Sequence, residues 1–111
     1  FFQKKTSKLN ALLKNDDVPK AFGILNGRVF NLLVLDVPTR LQGQGIGTNL
    51  LLKLSKTLHS MSCKVIELDD MTTRFKSNKN IYIRCGFRYC KYPPSMYASP
   101  RRVIDTITNR P

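Results

Sequence analysis

The sequence predicts a single α/β domain over residues 1–111, and three observations support that fold class. The run VFNLLVLDV from Val29 to Val37 is almost entirely apolar, which is typical of a strand buried on both faces. Residues 46–60 repeat apolar side chains at helical spacing. Residues 64–68 have the length and composition of a second buried strand. Strands and helices in alternation favour a sheet flanked by helices.

The segments before the long apolar run predict a helix and a hairpin. Residues 3–14 carry leucines on one face and lysines on the other, so we expect a short amphipathic helix there. Residues 20–25 predict a strand. The Asn26-Gly27 pair that follows favours a tight hairpin turn because it tolerates positive φ.

The segments after residue 68 are shorter and more polar. Residues 69–76 predict a loop, and residues 78–85 predict a short helix that ends at Gly86, a suitable left-handed cap. Residues 87–92 predict a strand. In the basic tail, residues 103–107 predict a strand at the edge of the sheet.

The composition narrows the classes of protein to consider. The formal net charge is +12, which attracts phosphate-bearing partners, nucleic acid included, without choosing among them. The three cysteines cannot all pair and there is one histidine, so we expect no metal site and a reducing intracellular compartment, cytoplasmic or nuclear. No apolar run approaches the roughly 20 residues that span a bilayer, and no signal peptide is visible. Because the chain begins at Phe1, we expect an N-terminal element to be missing.

The glycine-rich segment QGQGIG at residues 42–47 lies between the apolar strand and the amphipathic helix. The first turn of a helix has amide hydrogens without intrahelical partners, and glycines let an anion approach the backbone, so this segment predicts a phosphate site. A Walker loop is excluded because Thr48-Asn49 follows, and the G-x-G-x-G spacing differs from the dinucleotide fingerprint. A glycine turn without a ligand is the alternative.

Two motifs in this order resemble the GNAT superfamily of N-acetyltransferases. Gln42, Gly45 and Gly47 fill the pattern Q/R-x-x-G-x-G/A of its acetyl-CoA loop. About 35 residues later, the segment 80–87 is similar to the second signature, in which a tyrosine precedes Gly-Phe by four residues. The stretch ELDDMT at 67–72, followed by the Asn-x-Tyr segment, also looks like divergent GNAT proteins of large DNA viruses.

The resemblance implies a fold and a cofactor. The fold is a central mixed sheet flanked by helices, whose two middle strands splay apart, here with a lacking or truncated N-terminal element. The pantetheine arm of acetyl-CoA would lie in the gap, bonded by backbone groups of the first splayed strand, and the glycine turn would hold the pyrophosphate. The cofactor-binding residues implied are Leu35, Val37, Arg40, Gln42, Gly43, Gln44, Gly45, Ile46, Gly47, Thr48, Asn78 and Asn80.

The resemblance also implies direct transfer of acetyl to a primary amine, on a protein N-terminus, a lysine or a small molecule. Tyr82 matches the tyrosine that protonates the departing thiolate. Asn31 stands where some members carry a glutamate base, so Glu67 is the nearest candidate base, with Asp69 and Asp70 as rivals. Two other hypotheses for the function remain open. One is a basic nucleic-acid-binding module, and the other is a domain that binds coenzyme A without catalysis.

Overall fold

The computed structural model describes residues 18–72, 74, 76, 77 and 79–109. The helix expected at residues 3–14 lies outside the described residues. Among those described, five strands form one mixed sheet in the order β1-β2-β3-β5-β4. The bounds are β1 Lys20–Asn26, β2 Val29–Asp36, β3 Val65–Asp69, β4 Arg88–Tyr89 and β5 Ser95–Ala98. Only β2 and β3 pair in parallel, and the other neighbours are antiparallel.

Three α-helices accompany the sheet in the described residues: α1 Ile46–Ser60, α2 Ile81–Arg84 and α3 Pro100–Thr108. A single 3-10 turn, Thr39–Leu41, precedes the glycine segment. Among these described helices none is long and apolar enough to cross a bilayer. The α/β fold class with a mixed sheet is therefore confirmed.

The core lies between one face of the sheet and the helices. The central strands present Phe30, Leu32 and Ile66 to this side, where all three are buried. Helix α1 adds a stripe of leucines at helical spacing, and α3 packs against α1 through Val103. Burying each such side chain contributes on the order of 2 kcal/mol, so these contacts hold the two central strands in place. We call this helix-covered side the inner face and the opposite side the outer face.

Most of the expected elements are confirmed. Helix α1 has the bounds that its apolar period predicted. Strands β1 and β3 lie within a residue of their predicted positions, and the hairpin turn uses Gly27 at a φ of 64°. Helix α2 is shorter than predicted and is followed by Gly86, whose φ of 98° favours glycine.

Two expectations are wrong. The strand Val29–Val37 is not buried on both faces, because Asn31 and Leu33 are exposed on the outer face, Leu33 at 56%. Residues 103–107 do not form an edge strand but belong to α3. The Oγ of Ser99 accepts from the Arg102 amide at 3.1 Å and Pro100 occupies the first turn, which together start a helix.

Candidate functional site

The parallel strands β2 and β3 are paired along only part of their length and then separate. Strands β2 and β3 pair only from Val29 opposite Val65 to Asn31 opposite Glu67. Beyond that point β2 continues for five residues to Asp36 and β3 for two residues to Asp69. Because no described strand fills the space between them, a gap opens at the carboxyl ends of the two strands. Such an edge leaves backbone hydrogen-bonding groups without a ladder partner.

A β-bulge in β2 begins where this gap begins. Phe22 pairs with Val34 and Gly23 with Leu32, so Leu33 is an extra residue in β2. The alternation of side chains shifts by one residue as a result. Before the bulge, even-numbered side chains such as Phe30 enter the core, whereas after it Leu35 packs against the core.

The bulge also changes which backbone groups face the gap. Before the bulge, the carbonyl of Arg28 accepts from the Lys64 amide at 2.8 Å, so even-numbered residues of β2 turn their backbone groups toward β3. Side-chain direction and hydrogen-bond direction alternate together along a strand. After the bulge, the odd-numbered residue Leu35 therefore turns its backbone groups toward the gap. Leu35 is one of the two positions expected to bond an extended ligand. The other, Val37, follows the end of β2, and its carbonyl accepts from Gln42.

The glycine turn lies next to the gap and opens to solvent. Gly43 and Gly45 have φ values of 78° and 79°, and a Cβ on either would meet no atom within 4 Å. Gly45 is the N-cap of α1, and no side chain in the part of the chain that the structure describes caps this helix end. The amide hydrogens of Ile46, Gly47 and Thr48 consequently have no intrahelical acceptor. Gln44 and Arg40 are exposed beside them.

Two of the predicted turn residues are used inside the protein. The Nε2 of Gln42 donates to the carbonyl of Val37 at 3.0 Å, which braces the turn against the end of β2. Gly47 is buried, and a Cβ there would lie 2.8 Å from the Cδ1 of Ile81. The last glycine of the motif thus lets α1 approach α2. This contact brings the two sequence motifs together in space.

Tyr82 lies on the inner face in α2 and is 8% exposed. Its ring packs edge-on against Phe87, with 5.8 Å between centroids. Burial, together with the negative charge of Asp70 and the nearby Cys85, raises the pKa of Tyr82 to about 12. The hydroxyl therefore keeps its proton at neutral pH. Among the described residues no hydrogen bond occupies it, so it is available as a donor.

Asn80 is fully buried and holds the start of α2. Its Oδ1 accepts from the Tyr82 amide at 2.8 Å, and its Nδ2 donates to the Oδ2 of Asp70 at 2.8 Å. The same Nδ2 also donates to Thr72 and to the Arg74 carbonyl. With its amide used in this way, Asn80 has no group left for a cofactor, in contrast to the expectation from the motif. Asn78 lies outside the described residues.

Asp70, a rival candidate for the base, is enclosed by the same network. It is 4% exposed and accepts hydrogen bonds from Thr72, Asn80 and the hydroxyl of Tyr89. Burial by itself raises the pKa of Asp70, but these hydrogen bonds together outweigh it and hold the pKa below its usual value. A buried carboxylate held ionised by several donors is a weak proton acceptor. Asp70 therefore anchors the loop and does not fit the role of a base.

Glu67 and Asp69 face the other side of the sheet. Both are exposed and line a cleft of about 780 Å³ on the outer face. Asp69 accepts from the Oγ of Ser95 at 2.8 Å. Glu67 lies at the point where β2 and β3 separate, in register with Asn31 on one side and Tyr97 on the other. Of the three candidate bases, Glu67 and Asp69 thus share an accessible cleft and Asp70 does not.

The sequence interpretation missed four residues of these sites. Tyr89 and Thr72 complete the network around Asp70, and Tyr97 and Ser95 line the cleft. All of β5 was missed because Ser95–Ala98 is short and follows two prolines, which favour a turn. The alternation of buried Met96 and exposed Tyr97 was the available signal.

Comparisons with known proteins do not identify this chain: no family model, no curated protein and no solved structure matches it.

Proposed function

We propose that this chain is an N-acetyltransferase of the GNAT superfamily that transfers acetyl from acetyl-CoA to a primary amine. The observation that supports this most is the parting of β2 and β3 directly beside an uncapped, glycine-lined helix N-terminus. An extended pantetheine arm can add to the free edge of β2 as an extra strand would, while the phosphates bind at the helix end. The glycine segment 42–47 forms the helix end, and the second motif, residues 80–87, packs against it through Ile81 and Gly47.

Two features favour acetyl-CoA as the ligand of this site: backbone hydrogen-bond donors and the positive net charge of the chain. Amide hydrogens of Ile46, Gly47 and Thr48 supply the phosphate end, and the bulge turns the backbone of Leu35 toward the gap. The net charge of +12 raises the rate at which a polyanionic cosubstrate meets the protein. Acetyl-CoA supplies the activated acyl group, and the chain supplies the groups that bind and orient it.

The sheet separates a candidate base from a candidate acid. Glu67 lies on the outer face and Tyr82 on the inner face, so a thioester in the gap is the place where both can act. Glu67, directly or through water, takes a proton from the acceptor ammonium. The freed amine nitrogen forms the new bond to the acetyl carbon as the bond from carbon to sulfur breaks. Tyr82 gives its proton to the leaving thiolate, and the second proton that the nitrogen loses as it becomes an amide returns to Tyr82 through water.

The cofactor site can be tested with two glycines of matched conformation. Gly45 and Gly27 have φ values of 79° and 64°, and neither would place a Cβ within 4 Å of another atom. Asn tolerates this conformation, so Gly45→Asn and Gly27→Asn should fold equally well. Acetyl-CoA at about 100 times its Kd should stabilise the wild type by roughly 2.7 kcal/mol in a melting experiment. Gly45→Asn should lose most of this shift, and Gly27→Asn should keep it. If the wild type itself shows no shift at millimolar acetyl-CoA, the proposal is wrong.

Catalysis is tested separately by the release of free thiol with a panel of amines. Tyr82→Phe removes only the hydroxyl and should slow the single-turnover rate about 10²-fold, with acetyl-CoA affinity little changed. Glu67→Gln should slow the same step to a similar extent. If the wild type binds acetyl-CoA but none of the amines in the panel causes thiol release, the chain is a coenzyme A-binding domain without catalysis. Steeply salt-dependent DNA binding without an acetyl-CoA shift would indicate a nucleic-acid-binding module.

A further inference from the structure

The outer-face cleft carries a local charge opposite to that of the whole chain. The chain has 19 lysines and arginines against 7 acidic residues. Glu67 and Asp69 nevertheless line the cleft, and no lysine or arginine is among the described residues that line it. The ion pairs found within the described residues use Asp36 and Asp105. Among the described residues, neither cleft carboxylate forms an ion pair.

The two carboxylates are spaced along one strand. Glu67 and Asp69 are alternate residues of β3, so they share a face and lie about 6.6 Å apart along the strand. The Oγ of Ser95 holds one oxygen of Asp69 at 2.8 Å and leaves the other oxygen to a ligand. Two negative charges at this separation complement a ligand with two positive charges at a similar separation.

Most of the remaining residues that line the cleft are apolar, with Asn31 and Ser95 as polar exceptions, and the cleft is of small-molecule size. Leu33 is 56% exposed, Tyr97 44% and Met71 84%, and all three line the cleft. Such side chains can cover methylene groups, and the ring of Tyr97 can also face a cation. The volume of about 780 Å³ lies within the range of small-ligand sites. Arg88 pairs with Tyr97 in register from β4, so its backbone lies on the side of Tyr97 away from β3.

We propose that the acceptor is a small aliphatic diamine: one amine reacts beside Glu67, while the second stays protonated and binds Asp69. The reaction itself rests on the proposed acetyltransferase function, whereas diamine binding does not. The reacting nitrogen passes one proton to Glu67 and forms the bond to the acetyl carbon as the bond from carbon to sulfur breaks. The departing thiolate takes its proton from Tyr82, and the second proton that the nitrogen loses as it becomes an amide returns to Tyr82 through water. The second ammonium keeps its proton throughout and sets the position of the first.

Three four-carbon ligands test this assignment by calorimetric titration of the full chain at low salt. Putrescine carries two ammonium groups, n-butylamine carries one, and γ-aminobutyrate replaces the second with a carboxylate. Putrescine should bind about fivefold more tightly than n-butylamine, the upper end of what an exposed ion pair contributes. γ-Aminobutyrate should bind most weakly of the three. The preference for putrescine should largely disappear in Asp69→Asn.

Asp105→Asn is the matched control, because it removes the same charge from an exposed position on α3. It should keep the full preference for putrescine. Glu67→Gln is the second cleft variant, and it should also bind putrescine more weakly. Melting curves establish that each variant is folded.

The outcomes separate the two proposals. Equal affinities for putrescine and n-butylamine, or an unchanged preference in Asp69→Asn, would overturn the diamine assignment even if acetyl-CoA binds and is turned over. Putrescine binding that depends on Asp69, in a chain that neither binds acetyl-CoA nor releases thiol, would uphold the diamine site and refute the acetyltransferase function.

Discussion

Asp69 and Asp70 are neighbours in the chain, yet they lie in opposite environments. Asp69 is exposed on the outer face with one hydrogen bond, from Ser95. Asp70 is 4% exposed and accepts from Thr72, Asn80 and Tyr89. Asp69 is the last residue of β3 and Asp70 is the first residue after it, so a single step along the chain moves a carboxylate from solvent into the protein.

The difference shows how the same side chain is left accessible on one face and is part of the structure on the other. A charge removed from water must be hydrogen-bonded, and the donors around Asp70 meet this need. They also tie the end of β3 to the N-cap of α2, and so to Tyr82. Asp69 keeps an oxygen in the open cleft, where a ligand can reach it. Residue type alone therefore does not distinguish a candidate base from an anchor.

The largest expected difference between Asp69 and Asp70 is in how much each contributes to the free energy of unfolding. Asp70→Ala leaves several buried donors without an acceptor, and it should lower the free energy of unfolding by about 3 kcal/mol or more. Asp69→Ala changes an exposed position and should cost no more than about 0.5 kcal/mol. Urea denaturation of the two variants measures both values. Equal losses would mean that the network around Asp70 contributes little.

Acid should reduce the difference between the wild type and Asp70→Asn. Because the pKa of Asp70 is lowered in the folded state, its ionised form stabilises the protein at pH values above the usual carboxyl pKa of about 3.9. This contribution is lost as the pH falls through the folded pKa, which lies below that value. Unfolding free energies of the two proteins between about pH 6 and pH 3 should therefore converge in acid. A constant difference would show that Asp70 is not held ionised by its partners.

A smaller effect is expected at the donor from β4. Tyr89→Phe removes a hydroxyl that donates to Asp70 and accepts from the Lys76 amide at 2.8 Å. The loss should be about 1–2 kcal/mol, since two partners lose a hydrogen bond but the ring still packs. Chemical denaturation gives the value. If Asp70→Ala removes the effect of Tyr89→Phe in a double-mutant cycle, the two residues act together.

The smallest effect is expected at the donor to Asp69. Ser95→Ala removes its hydrogen bond in an exposed setting and should change stability by less than about 0.5 kcal/mol. Its consequence should instead appear in ligand binding, because the carboxylate becomes free to rotate. Denaturation and putrescine titration on the same preparation measure the two effects. A destabilisation as large as that of Tyr89→Phe would remove the contrast between the two faces.

The local sequence pattern was sufficient to predict some helices and strands and insufficient to predict others. Helix α1 was predicted to within a residue because fifteen residues of apolar period outweigh any competing signal. Residues 103–107 contain β-branched side chains and suggested a strand, but Ser99 and Pro100 start a helix whose apolar side packs against α1. Strand β5 was missed because four residues carry too little period, and it forms by pairing with β3 and β4.

The candidate site divides in the same way. The motifs located the glycine turn and Tyr82, and the turn does lie at an uncapped helix end. They could not assign roles among Glu67, Asp69 and Asp70. That assignment depends on which face each residue occupies and on partners such as Tyr89, nineteen residues further along the chain.

The sequence by itself determined the α/β class, the long helix, the hairpin turn and the position of the glycine segment, because each depends on residues close together in the chain. Only the tertiary structure decided that β2 and β3 separate after Asn31 and Glu67, and that a bulge at Leu33 redirects the backbone beyond it. Pairing between distant strands is set by how their side chains pack against the helices. One extra residue in β2 reverses the direction of every group that follows, and no local pattern records where that residue falls.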